Sequence, residues 1–227
     1  MSDRDLRFGM VVSTAGSVMN EVLKSTFLRA RVRLIVVDHE GPAYERAQAY
    51  GIPTVIIMEE EGDQFCNELL TLFRERAIDY AFSFYTRFYS ENFRSAFHDR
   101  ILNFHPSLLP AFKGMDGFGD TVTYPARFAG NTVEFISDVM DEGKIIMQTV
   151  CAIDPNAPIE QTRHQVFVQQ CKALLQSAYW LQEGRISVEG RRVDITGATF
   201  DGSSFSPALE CEEVASWDPP DPYSGLR

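Results

Sequence analysis

Short apolar runs alternate with segments of helical period along the first 105 residues. Five of the runs are apolar on both faces, which is typical of buried strands, and they predict strands at 8–13, 32–38, 54–58, 79–85 and 101–105. Helical periodicity between them predicts helices at about 18–30, 42–50, 63–76 and 90–98. Strands separated by helices indicate an α/β fold, with a Rossmann-like, mostly parallel sheet covered by helices on both faces.

The second half of the chain follows a different pattern. It predicts strands at 132–138 and 144–153, a long helix at 159–183 and a β-hairpin at 185–195. Residues 196–227 are rich in Gly, Ser, Pro and acidic residues, which favours a loosely held acidic tail, parts of which Phe200, Phe205 and Trp217 could hold in place. We therefore expect one α/β domain over residues 1–195, with halves at about 1–100 and 101–195, followed by the tail.

Composition and charge narrow the classes of function. The 227 residues carry a formal net charge of −11, which argues against a nucleic-acid partner because phosphate contacts need a basic surface. The four cysteines are scattered without metal-ligand spacing, so we expect free thiols and no metal. The N-terminus has no apolar segment and no run is long enough to span a bilayer, which predicts a cytoplasmic protein without membrane contact.

Candidate chemistry lies at the end of the fifth predicted strand. Asn103 and His105 are two residues apart, so they share one face of the strand, about 6–7 Å apart along it. Ligands of parallel α/β sheets bind beyond the carboxyl ends of the strands. An amide and an imidazole there suit acyl transfer, since both can stabilise a developing oxyanion and the imidazole can relay a proton. By itself the pair also fits a strand end with no catalytic role.

A carboxylate that could support the imidazolium is expected in the loop 137–143, which joins the next two predicted strands. The acidic residues there are Asp138, Asp141 and Glu142. Acidic residues are also common in ordinary turns, so this pattern alone is of low specificity.

The segment Asn103-Phe104-His105-Pro106-Ser107-Leu108-Leu109-Pro110 resembles a signature of the folate-dependent formyltransferase superfamily, and most closely that of the glycinamide ribonucleotide (GAR) transformylases. Asp141 stands at the separation expected of the signature's aspartate. The resemblance covers roughly residues 7–195. It implies the formyltransferase fold, with an acceptor half at about 1–100 and a folate and catalytic half at about 101–195.

The resemblance also implies a reaction and its participants. The co-substrate would be 10-formyltetrahydrofolate and the other partner a small-molecule amine, and a homodimer is left open. Asn103 and protonated His105 would hold the oxyanion, and Asp141 would support the imidazolium. The folate would contact, largely through backbone groups, Arg87, Phe88, Tyr89, Leu102, Asp138, Val139 and Met140.

The acceptor side departs from the family pattern. Transformylases bind the substrate phosphate at a Ser-Gly-x-Gly-Ser-Asn turn after the first strand, and here the turn after Ser13 reads Thr14, Ala15, Gly16, Ser17 and Val18. One glycine and the asparagine are replaced by β-branched residues. A glutamate that helps to hold the ribonucleotide falls on Gln170, and a usual histidine falls on Glu134. We therefore expect intact formyl-transfer residues and an amine acceptor that need not be GAR.

Two other functions remain open on the sequence. A 10-formyltetrahydrofolate hydrolase would share the three catalytic residues, although such enzymes usually carry an N-terminal regulatory domain, for which the segment before residue 8 leaves no room. A non-catalytic folate- or nucleotide-binding module would have no need to retain all three. A methionyl-tRNA formyltransferase is disfavoured, since it needs a further C-terminal domain.

Overall fold

The computed structural model describes residues 4–59, 61–200 and 204–220. The chain divides into two compact units, Met1–Asn103 with Phe135–Gly143, and Phe104–Glu134 with Lys144–Arg227. The predicted α/β fold with a mostly parallel sheet is confirmed. Within the described ranges, none of the helices has the length and hydropathy needed to cross a membrane.

The first unit alternates strands and helices in the predicted order. Its elements are β1 (Phe8–Val12), α1 (Ser17–Val22), α2 (Thr26–Arg29), β2 (Val32–Val37), α3 (Pro42–Gln48), β3 (Thr54–Ile56), α4 (Gly62–Glu75), β4 (Tyr80–Phe84), α5 (Glu91–Ala96) and the start of β5 (Ile101–His105). The strands lie in the order β5-β4-β1-β2-β3, and the pairs are parallel. Their carboxyl ends therefore meet at one edge of the sheet.

Aromatic side chains dominate one part of the core of this unit. The rings form a chain of stacked and tilted contacts that joins α4, the end of β4 and α5, and its members are Phe65, Phe73, Tyr85, Tyr89, Phe93 and Phe97. Each fully buried phenylalanine contributes about 2–3 kcal/mol by leaving water. This packing fixes the end of β4, which lies beside β5.

The helix predicted at 18–30 is two short helices instead. Ser25 adopts an extended conformation (φ −62°, ψ 121°) immediately before α2, so the helical path ends at Leu23 and begins again at Thr26. Serine is common at the residue before a helix, although the Ser25 side chain makes no capping hydrogen bond here. The continuous apolar pattern hides this break.

The second unit contains the remaining elements. They are α6 (Gly117–Thr123), β6 (Phe128–Phe135), β7 (Lys144–Ala152), α7 (Ile159–Gln182), β8 (Ile186–Glu189), β9 (Arg192–Ile195), β10 (Phe205–Ser206) and α8 (Glu212–Ser216). The strands β10, β7 and β6 are neighbours in that order, with β10 antiparallel to β7. The predicted long helix and terminal hairpin correspond to α7 and to the antiparallel pair β8–β9.

Residues 204–220 of the predicted tail are packed on α7 and not loosely held. The Gln176 side-chain oxygen accepts the backbone N–H groups of Glu210 and Cys211 at 2.9 and 3.1 Å. The Lys172 ammonium donates to the carbonyl of Ala215 at 3.0 Å. Arg185 forms a forked ion pair with Glu210, and its hydrogen bonds lower the pKa of that carboxyl. Residues 201–203 and 221–227 of the predicted tail lie outside the described residues.

Candidate active site

Asn103 is the one half-exposed residue of an otherwise buried strand. In β5 the residues on either side of it are buried, and its register partner in β4 is Ser83. The Ser83 and Tyr89 hydroxyls are 2.8 Å apart, so these two buried groups form a hydrogen bond with each other inside the core. Asn103 is therefore the residue of this strand whose side chain is partly exposed, while the residues on either side of it are packed in the core.

His105 ends β5 and is buried, with about 5% of its surface exposed. Its Nε2 lies 2.8 Å from the carbonyl oxygen of Phe112. Phe112 has a left-handed backbone (φ 54°), an uncommon conformation for a bulky residue, and this turns the loop back toward the strand. The Ser107 hydroxyl donates to the carbonyl of Ala111 at 2.7 Å and closes the same loop.

Two polar side chains from β6 and β7 hold the loop that follows His105. The Thr132 hydroxyl donates to the carbonyl of Ser107 at 2.8 Å and accepts the N–H of Leu109 at 3.0 Å. The Gln148 amide donates to the carbonyl of Leu109 at 2.9 Å. Thr132 and Gln148 are buried or half-buried positioning residues that the sequence did not single out, because their partners are distant along the chain.

Gly117, the first residue of α6, lies against the imidazole. A Cβ at this position would stand 2.6 Å from His105 Nε2 and 3.1 Å from the carbonyl oxygen of Phe112. A side chain of any size would therefore displace the imidazole or its carbonyl partner. The glycine is a requirement of the site and not of helix formation, which glycine disfavours.

We expect Gly117→Ala to lower kcat about tenfold or more and to lower the melting temperature by a few degrees, because the added methyl must displace the buried imidazole. The measurement is steady-state formyl transfer together with thermal unfolding. Gly62→Ala is the matched control, since Gly62 also begins a helix and nothing lies within 4 Å of its added Cβ. Unchanged kcat in Gly117→Ala would show that the imidazole position does not limit turnover.

The loop that carries Asp141 belongs to the first unit and points this residue inward. Asp141 has a left-handed backbone (φ 56°) and is buried, whereas Asp138, Val139 and Met140 before it are exposed. The Ser137 hydroxyl donates to the carbonyl of Val139 at 2.9 Å and tightens the turn. Aspartate tolerates the left-handed region better than most residues, which is consistent with its position here.

Arg94 joins two of the segments that were predicted to contact folate, and no pattern in the sequence singled it out. Its guanidinium carbon lies 4.3 Å from the centre of the Phe88 ring, and its Nε donates to Asp138 at 3.2 Å. It also donates to the carbonyl of Tyr89. The predicted residues Phe88, Tyr89 and Asp138 are therefore brought together through one arginine on α5.

The side chains of three predicted folate residues, Arg87, Leu102 and Tyr89, are directed elsewhere or are buried in the core. Arg87 donates to the carbonyl of Glu59 at 3.0 Å and stands over the Phe65 and Tyr85 rings, so its side chain is directed toward the residues after β3. Leu102 is completely buried inside β5. Tyr89 is also buried, and burial raises the pKa of its phenol. Any ligand contact of Leu102 or Tyr89 would be made through the backbone.

Arg46 of α3 forms hydrogen bonds with the predicted acceptor turn, residues 14–18. The Arg46 guanidinium donates to the carbonyl of Ala15 at 2.5 Å and contacts the Ser17 hydroxyl at 3.4 Å. Gly16 has a left-handed backbone (φ 74°), and its N–H donates to the Thr14 hydroxyl at 3.4 Å. Val18, half-buried in α1, supplies no polar group. Part of the donor capacity of the turn is thus used within the turn.

A carboxylate lies next to this turn at the end of β2. The Ser13 hydroxyl donates to Asp38 at 2.6 Å, and the Nδ1 of His39 lies 2.6 Å from the other Asp38 oxygen. The side chain of Asp38 is mostly buried, whereas that of His39 is about half exposed. Asp38 follows an apolar strand, which is the signal that could have identified it from the sequence.

Gln170 and Glu134, the other two departures from the family pattern, lie in the second unit. The Gln170 amide donates to the carbonyl of Phe104 at 3.0 Å, a contact that a glutamate could not make. It therefore ties α7 to the end of β5. Glu134 is buried in β6. Among the described residues no group of His, Cys, Asp and Glu has the arrangement of a metal site.

A parallel sheet whose fifth strand ends in an amide and a buried imidazole is compatible with an α/β enzyme of the acyl-transfer type. The chain belongs to the formyl transferase family, because the model of that family matches residues 7–178. The enzyme class predicted from the sequence, a folate-dependent formyltransferase with 10-formyltetrahydrofolate as co-substrate, is confirmed.

Individual relatives agree with this assignment. A phosphoribosylglycinamide formyltransferase of Bacillus subtilis is 29% identical over 70% of this chain and 86% of its own. The crystal structure of glycinamide ribonucleotide transformylase 1 from Symbiobacterium toebii superposes with a TM-score of 0.78 at 27% identity, covering 84% of this chain and 93% of that one. A formyltetrahydrofolate deformylase from Pseudomonas syringae shares the fold (TM-score 0.76, 16% identity, 86% of this chain and 67% of its own).

Proposed function

We propose that this chain transfers the formyl group of 10-formyltetrahydrofolate to a primary amine of a small molecule, with Asn103, His105 and Asp141 as catalytic residues. The observation that carries the proposal is the buried imidazole of His105, which is fixed by the Phe112 carbonyl and ends the strand that presents the Asn103 amide.

The chemistry requires three functions of the chain. Attack of the amine on the formyl carbon forms a tetrahedral oxyanion, to which the Asn103 amide and the protonated imidazole can donate hydrogen bonds. The amine nitrogen must then lose a proton and the leaving nitrogen of the folate must gain one, and His105 is assigned to this relay. Asp141 is assigned to stabilise the imidazolium, the role that the family resemblance gives it.

We propose that the folate binds along the segment from Arg87 to Tyr89 and the exposed loop residues from Asp138 to Met140. Phe88, Val139 and Met140 each expose about 41–53% of their surface, so both segments present apolar side chains that a ligand ring can contact. The Arg94 contacts to Phe88 and Asp138 support the placement of both segments at one location. Arg87 and Leu102 remain predicted contacts.

We infer that the acceptor is an amine other than GAR. The Gly16 N–H already donates within the turn, to the Thr14 hydroxyl, and a carboxylate at Asp38 lies beside the turn. A negative group near a phosphate site weakens phosphate binding, although Arg46 offsets part of this effect. Thr14 and Val18 replace the glycine and asparagine that the family uses there.

With GAR as the acceptor, we expect kcat/KM to be about 100-fold or more below that of the Bacillus subtilis relative assayed alongside. The loss of one or two charge-assisted hydrogen bonds to a phosphate accounts for this magnitude. The assay measures the formation of tetrahydrofolate at saturating 10-formyltetrahydrofolate. Turnover of GAR within a few-fold of the relative would overturn the altered acceptor and leave the formyltransferase assignment intact.

The double variant Thr14→Gly/Val18→Asn tests the same inference in the opposite direction. It restores the turn of the family, so kcat/KM with GAR should rise, while Thr14→Ser serves as a control that leaves the backbone restricted.

A separate assay without any amine tests the hydrolase alternative. Release of formate from 10-formyltetrahydrofolate at the same rate as in the presence of the amine would indicate a hydrolase instead. The cytoplasmic location and a homodimer stay predictions.

A further inference from the structure

A cavity of about 650 Å³ lies in the first unit at the amino ends of β1 and β2. Because the strands are parallel, this is the edge of the sheet opposite the carboxyl ends, where Asn103 lies. A strand of five residues spans about 16 Å, which separates this cavity from the proposed catalytic residue. A volume of this size is typical of sites for small molecules.

Four arginines line the cavity, and each comes from a different part of the fold. Arg7 precedes β1, Arg29 ends α2, Arg33 lies in β2 and Arg76 follows α4. All four are exposed to solvent at the cavity. Glu75 is the single acidic residue of its lining. We call the cavity that these four arginines line the arginine cavity.

The four guanidinium groups make no ion pair with any described carboxylate. This is unexpected, since acidic residues outnumber basic ones by 32 to 21 in the whole chain. Nearby arginines are paired: Arg4 binds Asp79 and Arg31 binds Asp5, each at 2.6 Å. Unpaired like charges repel one another, so their convergence on one concave surface favours an anionic ligand that neutralises them.

The remaining walls of the cavity are suited to an organic ligand. Tyr50, Ile52 and Pro53 add apolar surface beside the arginines. The Tyr50 hydroxyl donates to the carbonyl of Asn20 at 2.6 Å, which fixes the position of its ring. Arginine recognises phosphate oxygens with two parallel hydrogen bonds, a geometry that several guanidinium groups can extend over a chain of phosphates.

We propose that the arginine cavity binds a small molecule that carries a polyphosphate group, of the size of a nucleoside triphosphate, at a site separate from the formyl-transfer site. The Arg33 side chain supports this assignment because it is the exposed position of a strand whose other residues are buried. The proposal is independent of the identity of the amine acceptor.

Isothermal titration calorimetry of the full chain with tripolyphosphate and with ATP, without divalent metal, tests the proposal. Both probes should bind, and their affinities should fall as sodium chloride rises from about 50 to 200 mM. The double variant Arg29→Gln/Arg33→Gln should weaken both about tenfold or more, because each arginine removed deletes charge-assisted hydrogen bonds. Far-UV circular dichroism and formyl-transfer activity should be unchanged in this variant.

The double variant Arg74→Gln/Arg127→Gln is the matched control. It removes the same charge from exposed positions that do not line the cavity, so it should bind both probes as the unmodified chain does. Equal losses in the two double variants, or equal affinity in Arg29→Gln/Arg33→Gln and the unmodified chain, would overturn the proposal. So would the absence of binding at 5 mM probe, or binding of a hexaglutamate peptide as tight as that of ATP.

Discussion

His105→Ala should lower kcat for formyl transfer by about 100-fold or more, with KM for the folate changed much less. The imidazole is assigned both to the oxyanion and to proton transfer, and loss of one such group typically costs a factor of this size. Asn103→Ala should have an effect of similar size through the oxyanion alone. Steady-state kinetics at saturating acceptor gives both values.

Two controls separate catalysis from folding in this experiment. His98→Ala removes an exposed imidazole from the first unit and should leave kcat unchanged. Because His105 is buried, its variant also needs a thermal unfolding measurement, and a retained transition would assign the loss to chemistry. Turnover of His105→Ala close to that of the unmodified chain, with the fold retained, would remove this residue from the mechanism.

Gly130→Ala should destabilise the fold by about 3 kcal/mol or more, since an added Cβ would overlap with backbone that cannot move away. Gly130 lies in β6, and its Cβ would stand 1.9 Å from the carbonyl oxygen of Thr149 in β7. The Leu108 side chain would be 2.9 Å away. Denaturant unfolding of the two chains measures the difference.

The close approach at Gly130 has a local cause. The N–H and the side-chain amide of Asn131 both donate to the Thr149 hydroxyl at 3.1 Å, which holds the two strands together beside Gly130. Gly62→Ala is again the control, because the added methyl there meets nothing and should be neutral. A free energy of unfolding unchanged in Gly130→Ala would mean that the strands can separate without cost.

The sequence predicted the parts of the fold that depend on local pattern. The strands of the first unit follow apolar runs, and the signature around His105 lies within one strand and its loop. The pattern gave no helix at α6, which begins with Gly117, and no break at Ser25. Weak helix formers and single extended residues carry too little signal to be distinguished from a loop.

Partners that are distant along the chain could not be predicted. Arg94 reaches Asp138, Gln176 holds the backbone at Glu210, and Thr132 supports the loop after His105. Nothing in the spacing of these residues distinguishes them from surface polar residues, since only folding brings them to their partners. The particular contacts of the tail with α7 could not be predicted for the same reason.

The contact between His105 Nε2 and the Phe112 carbonyl also limits rotation of the imidazole. A half-turn of the ring would place a carbon atom against the carbonyl oxygen and lose this contact. The loop from Pro106 to Phe112 therefore sets the plane in which the imidazole lies. Substitutions in this loop would change the direction of the ring without altering any residue of β5.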